Sequence, residues 1–429
     1  MRKIILIFFG CLFSTAILAQ FENVSLPKPK KATYYYSQVE PSIYINPKNT
    51  NEVIAGTVMN DYYYSKDGGK TWKSKSISSK YGVNGDPCML IDTLERYFYF
   101  HLSRKGEEVL KYGMVSQYSK KLKGKFKFEG HTLDNGKYHD KEWVDINRKN
   151  NHIYMTWTQF DAYDSDNPDD KSRILFSKTE DGGLNWSLPK VISSMTGDCK
   201  DNDETAEGAV PAVGPNGELY VAWSRNDSIY FNVSTDEGES WMQKEAFIAL
   251  QPEGWVIDIP GIYRCNGLPV TRCDRSGTDH DGTIYVNWAD QRNGKDNTDI
   301  WLIKSTDQGK TWSEPKKVND DASNHHQFLS WMEIDQASGY LYFVFYDRRN
   351  HDDRKTDVYL AVSKDGGESF KNYKISESPF EPNPKIFFGD YTNISVHNGV
   401  IRPIWTRLHK GKISVHTALI HQDQLDQIK

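Results

Sequence analysis

The chain has 429 residues and a formal net charge of −5. This mild acidity gives no basis for binding nucleic acid or another polyanion. Hydrophobic residues make up 38% of the chain and aromatic residues 13%, a mixture that suits many short aromatic-rich strands better than a helical bundle. The length accommodates two or three ordinary domains or one large repeat fold.

The first segment, MRKIILIFFGCLFSTAILAQ, has the pattern of a signal peptide. Arg2 and Lys3 give a positively charged start, an apolar run follows, and Ala19 offers a small residue for cleavage. A membrane anchor is the weaker interpretation, because the apolar run is shorter than the ~20 residues of a span. We therefore predict an exported protein, periplasmic or secreted, with a signal peptide over 1–19 and one domain over 20–429. No other segment has the apolar length of a membrane span.

Four cysteines follow the signal peptide: Cys88, Cys199, Cys265 and Cys273. An exported chain permits disulfides, and four cysteines allow three full pairings. Cys265 and Cys273 are near enough in sequence to close a local loop, whereas free buried thiols are the alternative. The spacing does not match a zinc site.

A short motif recurs along the chain with the pattern Ser/Thr-x-Asp-x-Gly-x-Ser/Thr/Asn-Trp/Phe. Its five copies are Ser65–Trp72, Thr179–Trp186, Ser234–Trp241, Ser305–Trp312 and Ser363–Phe370. An Asp followed by glycine favours a tight turn, because the carboxylate bonds back to the backbone and glycine tolerates positive φ. Each copy therefore predicts a hairpin turn with an aromatic side chain pinned beside it, and not a catalytic loop.

Apolar strands surround these motifs in units that repeat along the whole chain. Seven units begin near residues 41, 87, 142, 209, 268, 329 and 391. Units of ~50 residues with about four short strands each predict an all-β, seven-bladed β-propeller, with six blades as the alternative. We expect the segment after Gln20 to supply the outer strand of the last unit and close the ring.

The five motifs resemble Asp-boxes, the repeats of sialidase-like β-propellers. Exported seven-bladed propellers with degenerate Asp-boxes also occur among lyases and α-L-rhamnosidases that cleave L-rhamnose-α-1,4-D-glucuronate caps from arabinogalactan side chains. The chain is similar to these enzymes in blade count, length and export. The resemblance implies an acidic plant polysaccharide or oligosaccharide as the substrate, and we expect a monomer.

Arginines end the second strand of five units, at Arg104, Arg225, Arg292, Arg348 and Arg407. In a propeller these strand ends share a face with the loops that precede the first strands, opposite the Asp-boxes. Guanidinium groups match carboxylates in geometry and keep their charge. The set, together with Arg264 from a loop before a first strand, predicts binding of an anionic sugar. The alternative is pairing with acids of neighbouring blades, such as Asp290 or Asp347.

An aromatic column precedes these arginines, at Trp157, Trp223, Trp288, Tyr346 and Trp405. Its repetition favours a packing role. His101 interrupts the column in the second unit, three residues before Arg104. Packing alone would have kept an aromatic residue there, so His101 is a candidate catalytic residue.

The loops before the first strands add polar residues on the same face. They are Gln38, Glu40, Asp86, His139, Glu207, Arg264, His325, His326, Asp390 and Tyr391. His139 and Tyr391 are the candidate proton-transfer groups among them. Any one of these residues could be satisfied within its own loop, so the hypothesis depends on their shared face.

These residue types suit a lyase reaction. Removing the proton α to a uronate carboxylate requires neutralisation of that carboxylate, by arginines or by a bound Ca²⁺. A His or Tyr then takes the proton, and a second group protonates the leaving oxygen. We assign proton transfer to His101 and His139 and carboxylate binding to Arg104 and Arg264. Hydrolysis of the same linkage is the alternative.

Two other functions compete with this prediction. An exo-α-sialidase would need an arginine triad whose first member precedes the first Asp-box, and no arginine occurs between Arg2 and Arg96. A non-catalytic glycan-binding propeller is the second alternative.

Two acidic loops, Asp164–Asp170 and Asp201–Glu207, carry oxygen ligands that suit Ca²⁺. Solvated loops have the same composition, and we favour that interpretation. The sequence therefore assigns no metal ligand and leaves Ca²⁺ open as a cofactor.

Overall fold

The computed structural model describes residues 21–29, 38–105, 108–133 and 135–428, without the side chains of residues 104–112. In these ranges the strands form seven four-stranded antiparallel sheets and one two-stranded sheet. The predicted seven-bladed propeller is confirmed, and the six-bladed alternative is wrong. The predicted signal peptide lies outside the described residues.

Each blade is built from consecutive strands, which run from the propeller axis outward in chain order. Strand β1 (Glu22–Ser25) comes first, and blade 1 then contains β2 (Ser42–Ile45), β3 (Val53–Thr57), β4 (Asp61–Ser65) and β5 (Lys73–Ser76). Blade 2 contains β6 (Cys88–Ile91), β7 (Tyr97–Lys105), β8 (Glu108–Ser119) and β9 (Phe128–His131). Blade 3 contains β10 (Tyr138–Asn147), β11 (His152–Phe160), β12 (Ser172–Thr179) and β13 (Lys190–Val191), and blade 4 contains β14 (Glu207–Val213), β15 (Leu219–Ser224), β16 (Ser228–Ser234) and β17 (Ala246–Leu250).

The small sheet and the last three blades complete the order. They are the β18 (Val256–Ile257) and β19 (Cys265–Asn266) pair; blade 5, β20 (Val270–Cys273), β21 (Ile284–Asp290), β22 (Asp299–Ser305) and β23 (Lys316–Lys317); blade 6, β24 (Gln327–Asp335), β25 (Tyr340–Asp347), β26 (Asp357–Ser363) and β27 (Lys371–Lys374); blade 7, β28 (Asn393–His397), β29 (Val400–His409) and β30 (Lys412–His421). A short helix, α1 (Gln422–Gln427), follows. In the described ranges no helix has the length and hydrophobicity that a membrane span demands.

The ring closes through the first described strand. Strand β1 pairs antiparallel with β30, with Glu22 opposite Leu419, and completes blade 7. Asn23 also ties this strand to blade 6, because its side-chain amide donates to the Ile375 carbonyl at 2.8 Å. The prediction that the segment after Gln20 supplies the missing outer strand is confirmed.

The second strands form the buried layer of the blades. The aromatic column on them, Trp157, Trp223, Trp288, Tyr346 and Trp405, is at most 1% exposed. Large aromatic rings in this layer fill the space between adjacent blades and contribute much of the buried apolar area. The packing role predicted for the column is confirmed.

The Asp-box of blade 1 shows how these turns are held. Asp67 accepts hydrogen bonds from the Thr71 amide at 2.9 Å and the Thr71 hydroxyl at 2.6 Å. The Gly69 amide donates to the Ser65 hydroxyl oxygen at 2.8 Å, with a positive φ of 95° at Gly69. The Trp72 indole donates to the Gly69 carbonyl at 2.9 Å. The motif is therefore a hairpin turn between third and fourth strands with a pinned aromatic ring, as predicted.

The Asp-boxes share one end of the propeller with the hairpins between first and second strands. The Gly68 amide donates to the Asn51 carbonyl at 2.9 Å, and Arg96 of blade 2 reaches the Asp181 carbonyl at 3.3 Å. We call this the Asp-box end. The loops that precede the first strands lie at the opposite end, which we call the mouth.

The four cysteines after the predicted signal peptide are buried free thiols. The free-thiol alternative is therefore confirmed for Cys88, Cys199, Cys265 and Cys273. Burial raises the pKa of the Cys88 thiol to about 12, so this group is un-ionised and unreactive at neutral pH.

Candidate functional site at the mouth

Charged side chains from several blades meet where the first strands begin. We name this group the mouth cluster: Glu40, Asp86, Asp140, Lys141, Glu142, Glu207, Arg264 and Asp390. Lys141 of blade 3 lies 3.7 Å from the Asp390 carboxylate, which precedes blade 7. Arg264, which precedes blade 5, also pairs with Asp390. These blades are not neighbours in a seven-membered ring, so the contacts cross the propeller axis.

β-Bulges open three of the first strands at the mouth. The pairing register shifts between Asp140 and Trp143 in β10, and corresponding shifts occur in β14 and β24. Each bulge contains a residue with left-handed backbone: Lys141 (φ 58°), Gly208 (φ 85°) and Leu329 (φ 50°). A bulge inserts an extra residue and re-aims its side chain. In blade 3 this places Lys141 among the carboxylates.

Asp390 is the ionised centre of the cluster. Its Oδ1 accepts a hydrogen bond from Arg264 Nε at 2.8 Å, and its Oδ2 accepts one from Arg264 Nη2. Burial opposes ionisation, but Lys141 and Arg264 outweigh it and lower the pKa of Asp390. Burial lowers the pKa of Lys141, but the carboxylates around it, above all Asp390 and then Asp86, outweigh burial and raise this pKa. Both partners are therefore charged.

The neighbouring carboxyls are shifted in the opposite direction. Burial, and then the charge of Asp86, raises the pKa of Glu40, Asp140 and Glu142 well above the ordinary range. Burial, and then Asp201, does the same for Glu207. These groups hold protons at a higher pH than exposed carboxyls do. The mouth thus combines an ionised carboxylate with carboxyls that favour the protonated state.

Several polar atoms at the mouth are buried without a hydrogen-bond partner among the described residues. They are both carboxyl oxygens of Glu142, Oε2 of Glu207 and the Tyr391 hydroxyl. Glu142 is 1% exposed, and Glu207 is 3% exposed. Such groups are costly to leave unpaired. The mouth therefore keeps hydrogen-bonding capacity for a polar ligand.

The outer wall of the mouth combines a guanidinium with aromatic rings. The Arg264 side chain is 49% exposed, and its Nη1 lies 3.6 Å from Asp201 Oδ2. Its guanidinium also lies 5.1 Å from the centre of the Phe387 ring. Tyr163 donates to Asp201 at 2.7 Å, and Tyr263 is 58% exposed. This wall offers a cation and flat apolar faces, which are the features that bind an acidic sugar ring.

His101 is fully buried in β7, and both of its ring nitrogens are engaged. Its Nδ1–H donates to the Leu102 carbonyl at 2.8 Å, and Nε2 accepts from the Gln117 side-chain amide at 2.8 Å. Burial lowers the pKa of His101 to about 4. This geometry gives His101 a packing and hydrogen-bonding role in blade 2, and its assignment to catalysis stays a prediction.

His139 lies at the start of β10, beside the mouth cluster. Its Nδ1 accepts a hydrogen bond from the Trp157 indole at 2.7 Å. The other nitrogen, Nε2, therefore carries the proton and faces Asn135 Oδ1 at 3.2 Å. In this tautomer His139 orients the Trp157 ring, and its assignment to proton transfer stays a prediction.

Tyr391 belongs to the mouth, as its place before β28 predicted. The ammonium of Lys141 lies 4.7 Å from the centre of its ring. Its ring packs against Trp143 with centroids 5.0 Å apart. Burial, and then the charge of Asp86, raises the pKa of the phenol well above its ordinary value, so Tyr391 acts as a hydrogen-bond donor.

The predicted arginines at the second-strand ends have local partners. Arg225 donates to the Thr196 carbonyl at 3.2 Å, and Arg292 forms a forked pair with Asp290. Arg348 donates to the Pro260 carbonyl at 2.8 Å, and Arg407 to the Ser378 hydroxyl at 2.8 Å. The side chain of Arg104 lies outside the described residues. Of the predicted arginine set, the structure brings Arg264 into the mouth cluster.

Sequence reasoning missed three members of the cluster: Asp140, Lys141 and Glu142. A signal existed in the run HDKE, which places four polar residues directly before an apolar first strand. The bulge that turns Lys141 toward the axis depends on strand pairing and cannot be read from this run.

The two acidic loops have local partners. Lys200 pairs with Asp164 at 3.6 Å and also with Asp166, and Asp201 faces the mouth. In the described part of the chain, the group that brings three metal-ligand atoms within 4.8 Å of one another is His152, Glu180 and Glu237. Lys178 lies 3.3 Å from Glu180 in that group. A role for Ca²⁺ stays a prediction.

Comparison with known proteins agrees with the fold. The BNR/Asp-box repeat model matches residues 63–74 and 303–314. No curated protein sequence matches the chain. The chain therefore carries BNR/Asp-box repeats on a seven-bladed β-propeller.

Solved structures with the same fold include glycan-processing enzymes. A PL25 ulvan lyase bound to -[GlcA(1-4)Rha3S]- is 13% identical, with 94% of this chain and 96% of that chain covered and a TM-score of 0.54. The phage phi92 endosialidase is 10% identical, with coverages of 94% and 69% and a TM-score of 0.51. The Hadza microbial sialidase Hz136 is 13% identical, with coverages of 86% and 73% and a TM-score of 0.46. At these identities the likeness shows the fold alone.

Proposed function

We propose that the protein is an exported carbohydrate-active enzyme that cleaves a glycosidic linkage next to an acidic sugar. The observation that carries this proposal is the opposed protonation of neighbouring groups at the mouth. Lys141 and Arg264 lower the pKa of Asp390, whereas burial, and then Asp201, raises the pKa of Glu207 well above its usual range. Pairs of titratable groups with pKa values pushed apart supply the acid and the base of a reaction.

The proposed substrate is the L-rhamnose-α-1,4-D-glucuronate end of an arabinogalactan side chain. Arg264 supports a uronate because its guanidinium is half exposed and can bind a carboxylate with two hydrogen bonds. Among proteins of the same fold, the ulvan lyase bound to -[GlcA(1-4)Rha3S]- also pairs glucuronate with rhamnose. That support is an analogy between folds, so the specific sugar and linkage rest on experiment.

Substrate binding would raise the pKa of Asp390. When the uronate carboxylate takes the guanidinium of Arg264, Asp390 loses the partner that lowers its pKa most strongly after Lys141. The freed carboxylate becomes a stronger base while Lys141 still holds it in place at 3.7 Å. The substrate thereby activates its own general base.

The proposed reaction is a β-elimination. Asp390 takes the proton from C5 of the glucuronate, which is acidified because Arg264 neutralises the adjacent carboxylate. The electron pair forms a double bond between C4 and C5, and the bond from C4 to the rhamnose oxygen breaks. Glu207 gives its proton to that oxygen, and the Tyr391 hydroxyl donates a hydrogen bond to the sugar. The products are free rhamnose and an unsaturated uronate, with no water consumed.

Glu207 suits the role of acid because of its hydrogen bonds. Its Oε1 accepts from the Thr158 hydroxyl at 3.0 Å, which fixes the side chain. Its Oε2 is buried and has no partner among the described residues, so the proton on this oxygen is available to a leaving group.

The test is product analysis on rhamnose-capped arabinogalactan with the purified mature protein. We expect free rhamnose together with the ultraviolet absorbance of an unsaturated uronate. Glu207→Gln and Asp390→Asn should each lower kcat by roughly 100-fold or more, because each removes a proton-transfer group. The matched control is Arg96→Gln at the Asp-box end, where Arg96 pairs with Asp92; this variant should keep wild-type activity.

Other products would identify other functions. Rhamnose without the absorbance, and a product heavier by one water, would show hydrolysis by the same two carboxyls. Release of sialic acid from a sialoside would show the exo-α-sialidase alternative. Glycan binding without turnover of any uronate-containing substrate would show a non-catalytic propeller and overturn the proposal.

A further inference from the structure

The axis of the propeller holds a cavity at the Asp-box end, opposite the mouth, which we name the rear chamber. Its volume is about 510 Å³, and the first strands of the blades form its walls. Lys149 and Gly277 stand on its rim and are exposed, so the chamber opens to solvent. A volume of this size lies within the range of sites that bind small molecules, about 300–1,000 Å³.

The rear chamber is separated from the mouth by an aromatic barrier. Trp143 and Trp331 both line the chamber and pack with ring centroids 4.2 Å apart. Tyr391 packs against both rings, with centroids 5.0 Å from Trp143 and 6.3 Å from Trp331, and belongs to the mouth and not to the chamber lining. A molecule in the rear chamber would therefore contact neither Asp390 nor Arg264.

Four cations, the ammonium of Lys149 and three guanidinium groups, line the rear chamber against three carboxylates, those of Asp145, Asp281 and Glu333. Arg272 pairs with Glu333 at 3.1 Å, and Arg275 lies 3.6 Å from Asp145. Arg148, the third guanidinium, donates to the Tyr44 hydroxyl and to the Ile91 carbonyl, and no carboxylate among the described residues pairs with it. The walls carry one more positive than negative charge, which favours one anion.

The arginines also keep hydrogen-bonding capacity. The 3.6 Å separation of Arg275 and Asp145 exceeds the length of a charge-assisted hydrogen bond, about 2.7–2.9 Å. Arg272 spends Nε on Glu333 and Nη1 on the Thr271 carbonyl, and its Nη2 has no acceptor among the described residues. Arg275 donates Nη1 to the Ile146 carbonyl at 3.0 Å. Because Arg272 lies in β20 and Arg275 follows two residues after its end, their remaining donors can converge on one carboxylate.

Flat aromatic surfaces lie next to these donors. The Arg272 guanidinium lies 5.6 Å from the centre of the Trp331 ring, and the Tyr44 ring lies 5.8 Å from the Arg148 guanidinium. Such surfaces pack against the apolar face of a sugar or another six-membered ring.

We propose that the rear chamber binds a cyclic monocarboxylate of about hexose size, such as a sugar acid. The carboxylate lies against Arg272 and Arg275, and the ring packs on Trp331 and Trp143. This binding site is distinct from the reaction centre at the mouth and does not depend on the chemistry proposed there.

The experiment measures binding of D-glucuronate to the full mature protein by calorimetry, with D-glucose as the neutral control. Two variants separate the two ends of the axis. Arg272→Gln removes a chamber donor, and Arg264→Gln removes the corresponding cation at the mouth. We expect a glucuronate site that Arg264→Gln leaves intact and that Arg272→Gln weakens by roughly tenfold or more. Glucose should not bind this site.

A crystal of the wild-type protein soaked in D-glucuronate keeps the test independent of variant folding. Electron density for the sugar between Arg272 and Trp331 would support the proposal. The proposal is overturned if glucuronate occupies the mouth alone, if Arg264→Gln abolishes all binding, or if glucose binds as well as glucuronate. Failure of the elimination reaction would leave each of these outcomes unchanged.

Discussion

Trp143 and Trp331 pack across the propeller axis with their ring centroids 4.2 Å apart and an interplanar angle of 48°. They come from blades 3 and 6, which are not neighbours in the ring. Each tryptophan directly follows a β-bulge in its first strand. The bulge in β10 turns Lys141 toward the mouth, and the two tryptophans that follow the bulges form a floor below the cluster.

Replacement of Trp331 tests how much the Trp143–Trp331 pair contributes to the free energy of unfolding. Trp331→Ala should lower the free energy of unfolding by about 3–5 kcal/mol, because a large buried ring leaves a cavity on the axis. Trp331→Phe should cost much less, since the indole N–H of Trp331 is buried without a partner among the described residues and its removal offsets part of the lost contact. Urea unfolding followed by circular dichroism measures both. Equal losses for the two variants would contradict this account.

The Asp-box turn should affect stability and leave activity intact. Asp67→Ala removes the acceptor for the amide and hydroxyl of Thr71, and we expect a loss of about 1–3 kcal/mol in the free energy of unfolding. Because the turn lies at the end opposite the mouth, kcat/KM on the glycan substrate should stay unchanged at a temperature where the variant is folded. A large fall in kcat with unchanged stability would assign chemistry to the motif.

The blades were predictable because their signals are local. The motif from Ser65 to Trp72 needs only its own side chains and two glycines to form its turn, so its recurrence revealed the blade period. Ten polar residues were also predicted to share the mouth face, and six of them, Glu40, Asp86, Glu207, Arg264, Asp390 and Tyr391, meet at the cluster. Position relative to the Asp-boxes was sufficient for that result.

The remaining features of the site depend on contacts between distant segments. Lys141 reaches Asp390 because a bulge in β10 adds a residue, and no local pattern predicts which strand will bulge. The raised pKa of Glu207 results from burial, which arises only when the blades assemble. The second-strand arginines show the same limit, because Arg292 pairs with Asp290 of its own blade, whereas the alternative interpretation predicted pairing with an acid of a neighbouring blade.

Asp61 should make the folded protein less stable as the pH rises from about 4 to about 7. Burial raises its pKa from 3.8 to about 7. The folded state therefore holds a proton that the unfolded state has released between these values, and stability falls as pH rises through about 7. Asp61→Asn removes this effect. Relative to wild type, the variant should gain about 3 kcal/mol on going from about pH 5 to about pH 8.5.

Thermal or urea unfolding at the two pH values measures the Asp61 effect. The matched control is Asp67→Asn, because the hydrogen bonds of Thr71 lower the pKa of Asp67 against the opposing effect of burial. That group is ionised at both pH values, so the control should show no gain between them. A gain shared by both variants would refute a specific role of Asp61.

His101 should make the folded protein less stable as the pH falls from about 6.5 to about 4. Burial lowers its pKa from 6.5 to about 4, so between these pH values His101 is protonated in the unfolded state and neutral in the folded state. Stability is complete above about pH 6.5 and is lost as pH falls through about 4, with a total on the order of 3 kcal/mol. His101→Phe restores the aromatic column and should remove this acid sensitivity.

The same substitution leaves the Gln117 side chain without its acceptor. His101→Phe should therefore be less stable than wild type at about pH 7.5, by about 1–3 kcal/mol for a buried unpaired amide. The double variant His101→Phe/Gln117→Leu should recover part of that loss and keep the weaker pH dependence. Since both nitrogens of His101 are engaged inside blade 2, kcat/KM should stay within a few fold of wild type. Abolished turnover in the stable double variant would instead support the catalytic role that the interrupted aromatic column first suggested.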